Sequence, residues 1–194
     1  MSGLLIAFVT IILGVLVCVK AMSSKKRKHI EVLYTNIGLV KNLKVLLIFI
    51  QQHRGLTTGY LHGDRSLDNA VRQAKQRVDN QWRVIENDHP LIIEDQLFEG
   101  ISTHWKRLSF RWQQKAVTNN IEQHNRLIIN LLYLIENQAE SYLPMLSFGR
   151  DSGLDVIWKE LLETIEAIGQ TRAIGMGVVS WIKQKIIGVC LQHF

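Results

Sequence analysis

The chain has 194 residues, of which 47% are hydrophobic and 21% charged, with a formal net charge of +6. That balance excludes a disordered chain and suits one domain with a sizeable core. Two prolines, no long Gly/Ser stretch and no 20–50-residue repeat argue against linkers, solenoids and collagen-like structure.

The chain opens on "MSGLLIAFVTIILGVLVCV", which carries no charged side chain from Met1 to Val19. As a helix this is about one bilayer thickness. Lys20 and the run "KKRK" at Lys25–Lys28 follow it. A secretory signal carries its positive charge before the apolar run, and here the charge comes after. Val17 before Cys18 does not suit a lipoprotein cleavage site. The spacing predicts a transmembrane helix over 1–22, a basic flank over 23–29 and a folded domain over 30–194. The positive-inside rule places that domain in the cytoplasm, below the inner membrane. Much of the net charge sits in this flank, so the sequence pI of about 9.4 does not argue for nucleic acid. Cys18 and Cys190 lie at opposite ends and give neither a zinc spacing nor a disulfide framework.

Everything beyond residue 28 reads as helix. The first soluble helix should run to Leu61, with a seam of Leu43, Leu47, Ile50, Arg54, Thr57 or Thr58, and Leu61. "HGDRS" turns the chain. A second helix follows, with Leu67, Val71, Ala74, Val78, Trp82 and Ile85 on one stripe, and "NDHP" ends it. Leu97, Ile101, Trp105, Leu108 and Trp112 mark a third. "TNN" at Thr118–Asn120 reads as a break or an N-cap. A fourth helix carries Ile121, His124, Ile128, Leu131, Ile135 and Ala139, and should end near Leu143-Pro144. In "SFGRDSG", Asp151 or Ser152 should cap the last helix. Its seam reads Leu154, Trp158, Leu161, Ile165, Ile168, Arg172, Gly175, Val179, Ile182 and Ile186. The fold expected is all-α: an antiparallel up-down helical bundle of four to five helices after one transmembrane helix.

Two seams contain an arginine where an apolar residue belongs. Gly55 and Gly59 accompany Arg54; Gly169, Ala173 and Gly175 accompany Arg172. No seam position is acidic, and by the same periodicity Glu136, Glu140 and Glu166 fall on flanking or outward faces. Two inward cations without an inward anion suggest an anion from solution, for which the guanidinium fork is suited. Replacing both arginines with Met should then leave the ligand-free bundle at least as stable.

Three blocks carry a resemblance. "LIFIQQHRGLTTGYL" resembles the opening motif of the nitrate- and nitrite-sensing (NIT) domain family, with Gln51, Arg54, Gly55, Gly59 and Leu61 in place. "EQHNRLIINLLYLIENQAESYL" resembles a later helix of that family, and "LLETIEAIGQTRAIGMGVV" its last. The resemblance covers roughly Ile30 to Val189. It implies a helical sensor holding nitrate or nitrite between arginines of the first and last helices, matched here by Arg54 and Arg172. Gln51, Gly55, Thr58, Gly169 and Gly175 would support the pocket. His53 stands where the family usually has an acid, and the chain ends at "VCLQHF" without the usual output module.

Other features read blandly. Glu86 and His89 have an E-x-x-H spacing, but di-iron bundles need two copies and further ligands, so no metal is expected. His124 and the five tryptophans are core. No nucleophile–base set or phosphate loop can be placed, so an enzyme is not expected and no cofactor is implied beyond the anion itself. The expected partners are nitrate or nitrite, the membrane, a signalling protein and a second copy of the chain, with no nucleic acid. The alternative is an adaptor bundle that binds a protein partner without a small ligand.

Overall fold

The computed structural model describes residues 2–141 and 154–192. Side chains are described for 16–141, for 166–183, and for Glu160, Thr164 and Lys185. The described residues form five α-helices and no strand: α1 (Ser2–Leu61), α2 (Asp68–Asp88), α3 (Gln96–Arg111), α4 (Val117–Glu140) and α5 (Leu154–Gln192). Short 3-10 turns cover Arg65–Leu67, Pro90–Glu94 and Trp112–Gln114. The expected end near Leu143-Pro144, the "SFGRDSG" loop with its Asp151 or Ser152 cap, and the seam side chains Leu154, Trp158, Leu161, Ile165 and Ile186 lie outside what is described.

α1 runs unbroken for 60 residues, since no proline stands anywhere in it. It is the one helix among the described residues long and apolar enough to cross a membrane. The chain divides into two compact units, Met1–Gly38 and Leu39–Phe194. In the first, Leu16, Val17, Val19 and Met22 are all exposed. The second holds the core, with Leu43, Leu46, Leu47 and Ile50 of α1 fully or almost fully buried.

Most expected stripes are the buried ones. α2 buries Val71, Ala74, Val78, Trp82 and Ile85. α3 buries Ile101, Trp105 and Leu108, and is capped by Asp95, whose carboxylate accepts from the N–H groups of Leu97 and Phe98. α4 buries His124, Ile128, Leu131 and Ile135. "TNN" is neither break nor cap. The N-cap is Ala116, and Asn120 lies one turn inside the helix, fully buried. Its amide donates to Thr57 Oγ1 at 3.0 Å, so a tertiary bond overrides the capping preference of its type.

The seam of α5 departs from expectation. Its inward face is Glu166, Gly169, Ala173, Gly177 and Ser180, one residue away from the predicted line. Ile168 is 56% exposed and Val179 62%; Arg172, Gly175 and Ile182 are also exposed. The contact with α1 on this face is close. A Cβ on Gly169 would stand 2.9 Å from Arg54 Nη2, and one on Gly177 2.9 Å from His62. Over 166–183, α5 comes close to α1, so Gly169, Ala173 and Gly177 turn inward while Ile168, Ile174, Val178, Val179 and Ile182 are exposed.

Glycines test this packing from both sides. A Cβ on Gly59 would meet Leu67 Cδ1 at 2.7 Å and Ser180 Oγ at 3.0 Å, whereas around Gly100 in α3 nothing lies within 4 Å. Gly59→Ala should therefore lose its helix-propensity gain to the shift of Leu67 and Ser180 and come out less stable than Gly100→Ala. Gly100→Ala should stabilise by ~0.5–1 kcal/mol through helix propensity alone. Urea unfolding of the two variants checks this, and equal midpoints would contradict the close approach at Gly59.

Candidate functional site: a buried arginine beside a cationic groove

The helical period of α1 brings His53, Arg54, Thr57 and Thr58 onto its core face, and all four are buried. Thr58 Oγ1 donates to the Arg54 carbonyl at 2.7 Å, and Thr57 Oγ1 lies 2.9 Å from the His53 carbonyl. The two hydroxyls are thus absorbed by the helix backbone.

Arg54 is not the uncompensated cation its seam suggested. Its Nη1 donates to Glu166 Oε1 of α5 at 2.7 Å and to Asn125 Oδ1 of α4 at 2.6 Å. Glu166, expected to face outward, is buried because the seam of α5 is rotated. Gln51 Nε2 donates to its second oxygen, and Gln170 Nε2 to its first, both at 2.9 Å. One carboxylate thereby collects three donors, which is what the burial of a charge requires. The guanidinium is less complete. Its Nε and Nη2 are buried and have no partner.

Beside this pair a groove of about 370 Å³ runs between α1 and α5. Its polar lining is Gln51, Gln52, Arg77 of α2 and Arg172, with Gly55 and Gly169 at its walls; no acidic residue lines it. Arg77 and Arg172 are exposed, and neither meets a carboxylate among the described residues. Of the residues singled out in the sequence, Gln51, Gly55, Gly169 and Arg172 come together here. Arg54 lies behind Gly169. Thr58 does not line the groove, and Gly175 faces open space with nothing within 4 Å. Arg172 sits at the groove's rim rather than on the inward seam. Periodicity missed Glu166, Asn125, Gln170, Gln52 and Arg77. The spacing of small residues at 169, 173 and 177 does point to the face that Glu166 shares.

His53, where the resemblance expects an acid, belongs to a second network. His124 Nδ1 lies 2.8 Å from the Asn120 carbonyl, so it must carry the proton and donate. Its Nε2 then accepts from His53 Nδ1 at 2.9 Å. That leaves His53 Nε2 as a bare acceptor with no partner, and the ring packs edge-on against Trp105 at 4.9 Å. Burial pushes His124 down to about 4, helped by the nearby Arg54 charge and opposed by the Asn120 hydrogen bond. Burial, then the neighbouring His124, holds His53 well below its ordinary value. Both rings are neutral at pH 7. His89 of the E-x-x-H spacing meets Asn42 instead, at 3.3 Å.

Comparison of the chain with family models, curated proteins and solved structures returns no match. The resemblance to the NIT family rests on the three sequence blocks.

The Arg54–Glu166 pair reverses the stability expected from the sequence. Arg54→Met strands a buried carboxylate and should cost ~3–5 kcal/mol, while Arg54→Met/Glu166→Met should recover most of that. Melting of the two variants in neutral detergent decides it, and equal losses would show the pair is not coupled. The histidines give a pH signature. Unfolded His124 takes its proton near pH 6.5, but folded His124 only near about 4. The unfolded state therefore binds more protons between those values, and stability falls as pH is lowered through that window, by roughly 1 kcal/mol per unit. His124→Asn should flatten the dependence, and an unchanged slope would exclude His124 as its source.

Proposed function

We propose that this chain is a membrane-tethered sensor of a small planar oxyanion, nitrate or nitrite, built as an antiparallel up-down helical bundle facing the cytoplasm. The observation that carries the reading is Arg54, fully buried with Nε and Nη2 unpartnered behind a groove that holds Arg77, Arg172 and no carboxylate. Buried guanidinium donors without acceptors are costly, and a trigonal oxyanion presents acceptors in the plane the fork requires. In the ligand-free state Glu166 occupies one side of that fork. An anion entering past Gly169 takes the free donors, draws Arg172 inward and shifts Glu166 with Gln51 and Gln170. The consequence is a changed setting of α5 against α1, which a partner can read. The role is binding rather than catalysis. The NIT resemblance names the anion.

A second reading is favoured by α5 itself. Ile168, Val178, Val179, Trp181 and Ile182 are large, apolar and exposed on one helix. An adaptor bundle would use that face for a partner helix or a second copy of the chain and need no small ligand.

Melting of the full chain in neutral detergent with nitrate, nitrite, chloride or perchlorate at equal ionic strength separates the two. A sensor shows a saturable shift with nitrate or nitrite; a site filled to 100 times its dissociation constant adds ~2.7 kcal/mol. Arg172→Gln, at an exposed position, should leave the ligand-free melting temperature unchanged and weaken the shift. A shift reproduced by chloride, or untouched by Arg172→Gln, would remove the sensor reading.

A further inference from the structure

A second groove, of about 860 Å³, lies between α3 and α4. Its lining brings together Lys106, Arg107 and Arg111 of α3, Lys115 of the connection and Arg126 of α4, with His104 among them. No acidic residue lines it, and none of the five cations meets a carboxylate among the described residues. A helix dipole accounts at most for Arg111, in the last turn of α3. It cannot account for Arg126 in the middle of α4. Arg107 and Arg111 are four residues apart on one helix, a spacing at which like charges oppose folding. Five cations drawn from three segments onto one concavity suit an anion that offers several acceptor oxygens.

We infer that this groove binds the phosphate headgroup of an anionic membrane lipid. Arginine forks and lysine ammonium groups together suit phosphate oxygens. The choice of lipid over free phosphate comes from Phe110, which lines the same groove and is 78% exposed. An aromatic ring among cations is the pattern of a surface that rests at the headgroup level. The chain also carries in α1 a helix long and apolar enough to hold it at a membrane. His104 reports on the site. Its Nε2–H donates to Gln123 Oε1 at 3.0 Å, which fixes the ring. Burial lowers its proton affinity, the Gln123 bond partly restores it, and Arg107, Arg126 and Lys115 lower it further. An anion in the groove cancels that last contribution.

The test uses the full chain in neutral detergent, with the His104 ring followed by NMR during titration with short-chain phosphatidylglycerol. The expected result is a saturable chemical-shift change of His104 and a rise of its apparent pKa. Short-chain phosphatidylcholine should leave the ring unmoved. Inorganic phosphate should bind about tenfold more weakly, because it cannot use Phe110. Arg107→Gln/Arg126→Gln, at exposed positions, should abolish both responses, and Phe110→Ala should weaken lipid binding alone. Equal affinity for inorganic phosphate would overturn the lipid assignment in favour of a free phosphate. A response to phosphatidylcholine would make the contact merely apolar. Tighter binding of single-stranded RNA than of lipid would make it a nucleic-acid surface. A double variant that keeps its lipid response would place the site elsewhere.

Discussion

The buried guanidinium of Arg54 needs an anion, and α5 is set so that Glu166 supplies it. Taking either charge out of water alone costs several kcal/mol, and their attraction offsets this only when the remaining donors and acceptors are also met. Glu166 achieves that by accepting from Arg54, Gln51 and Gln170 at 2.7–2.9 Å. The requirement fixes the rotation of α5. With Glu166 inward, Gly169, Ala173, Gly177 and Ser180 follow on the same face, and the helix can come close to α1. Ile168, Ile174, Val178, Val179 and Ile182 of α5 are then turned outward, although hydrophobic burial by itself favours the opposite rotation.

That conflict explains what could be read in advance. In α1 beyond residue 38, α2, α3 and α4, a wide apolar stripe contrasts with a polar remainder, and the 3.6-residue period finds the buried face. Leu43, Leu47 and Ile50, or Val71, Val78 and Ile85, are where the pattern puts them. α5 is apolar nearly all round, so apolarity selects no face. The information lies in side-chain size, with small residues four apart at 169, 173 and 177 marking a close helix contact. Reading the line through Ile168, Arg172 and Val179 instead turned Glu166 outward and Arg172 inward. The charge pair was invisible for that reason alone. Arg54 was legible because α1 has a clear stripe; its partner was not because α5 has none.

The polar groups of the core follow the same logic of mutual need. His53, Asn120, His124 and Thr57 form a chain of bonds between α1 and α4, adjacent to Arg54 and its bond to Asn125. A network of this kind fixes register, since sliding α4 along α1 by one residue would leave several buried donors and acceptors unmet at once. A histidine at position 53 fits where a carboxylate would not: an ionised acid would require a proton on His124, which its burial opposes. His53 keeps this part of the core neutral and leaves Arg54 and Glu166 as its charged pair among the described residues.

The presence of Glu166 also limits how tightly the proposed anion can bind. A carboxylate held on α5 competes at an effective concentration in the millimolar range or above, because it is part of the same folded chain. A free nitrate ion must displace it or share the fork, and its apparent affinity is reduced by the fraction of molecules in which the site is open. Nitrate carries one charge, as Glu166 does, so it has no electrostatic advantage over the resident group. Its gain must come from the two donors that Glu166 leaves unmet, and from Arg172, which reaches the groove but not the buried pair. In the proposed sensor, weak binding coupled to a local rearrangement would suit a switch that responds to abundant anion and resets when it is withdrawn. The same competition ties the two states together: whatever stabilises the Arg54–Glu166 contact raises the concentration of anion needed to open it.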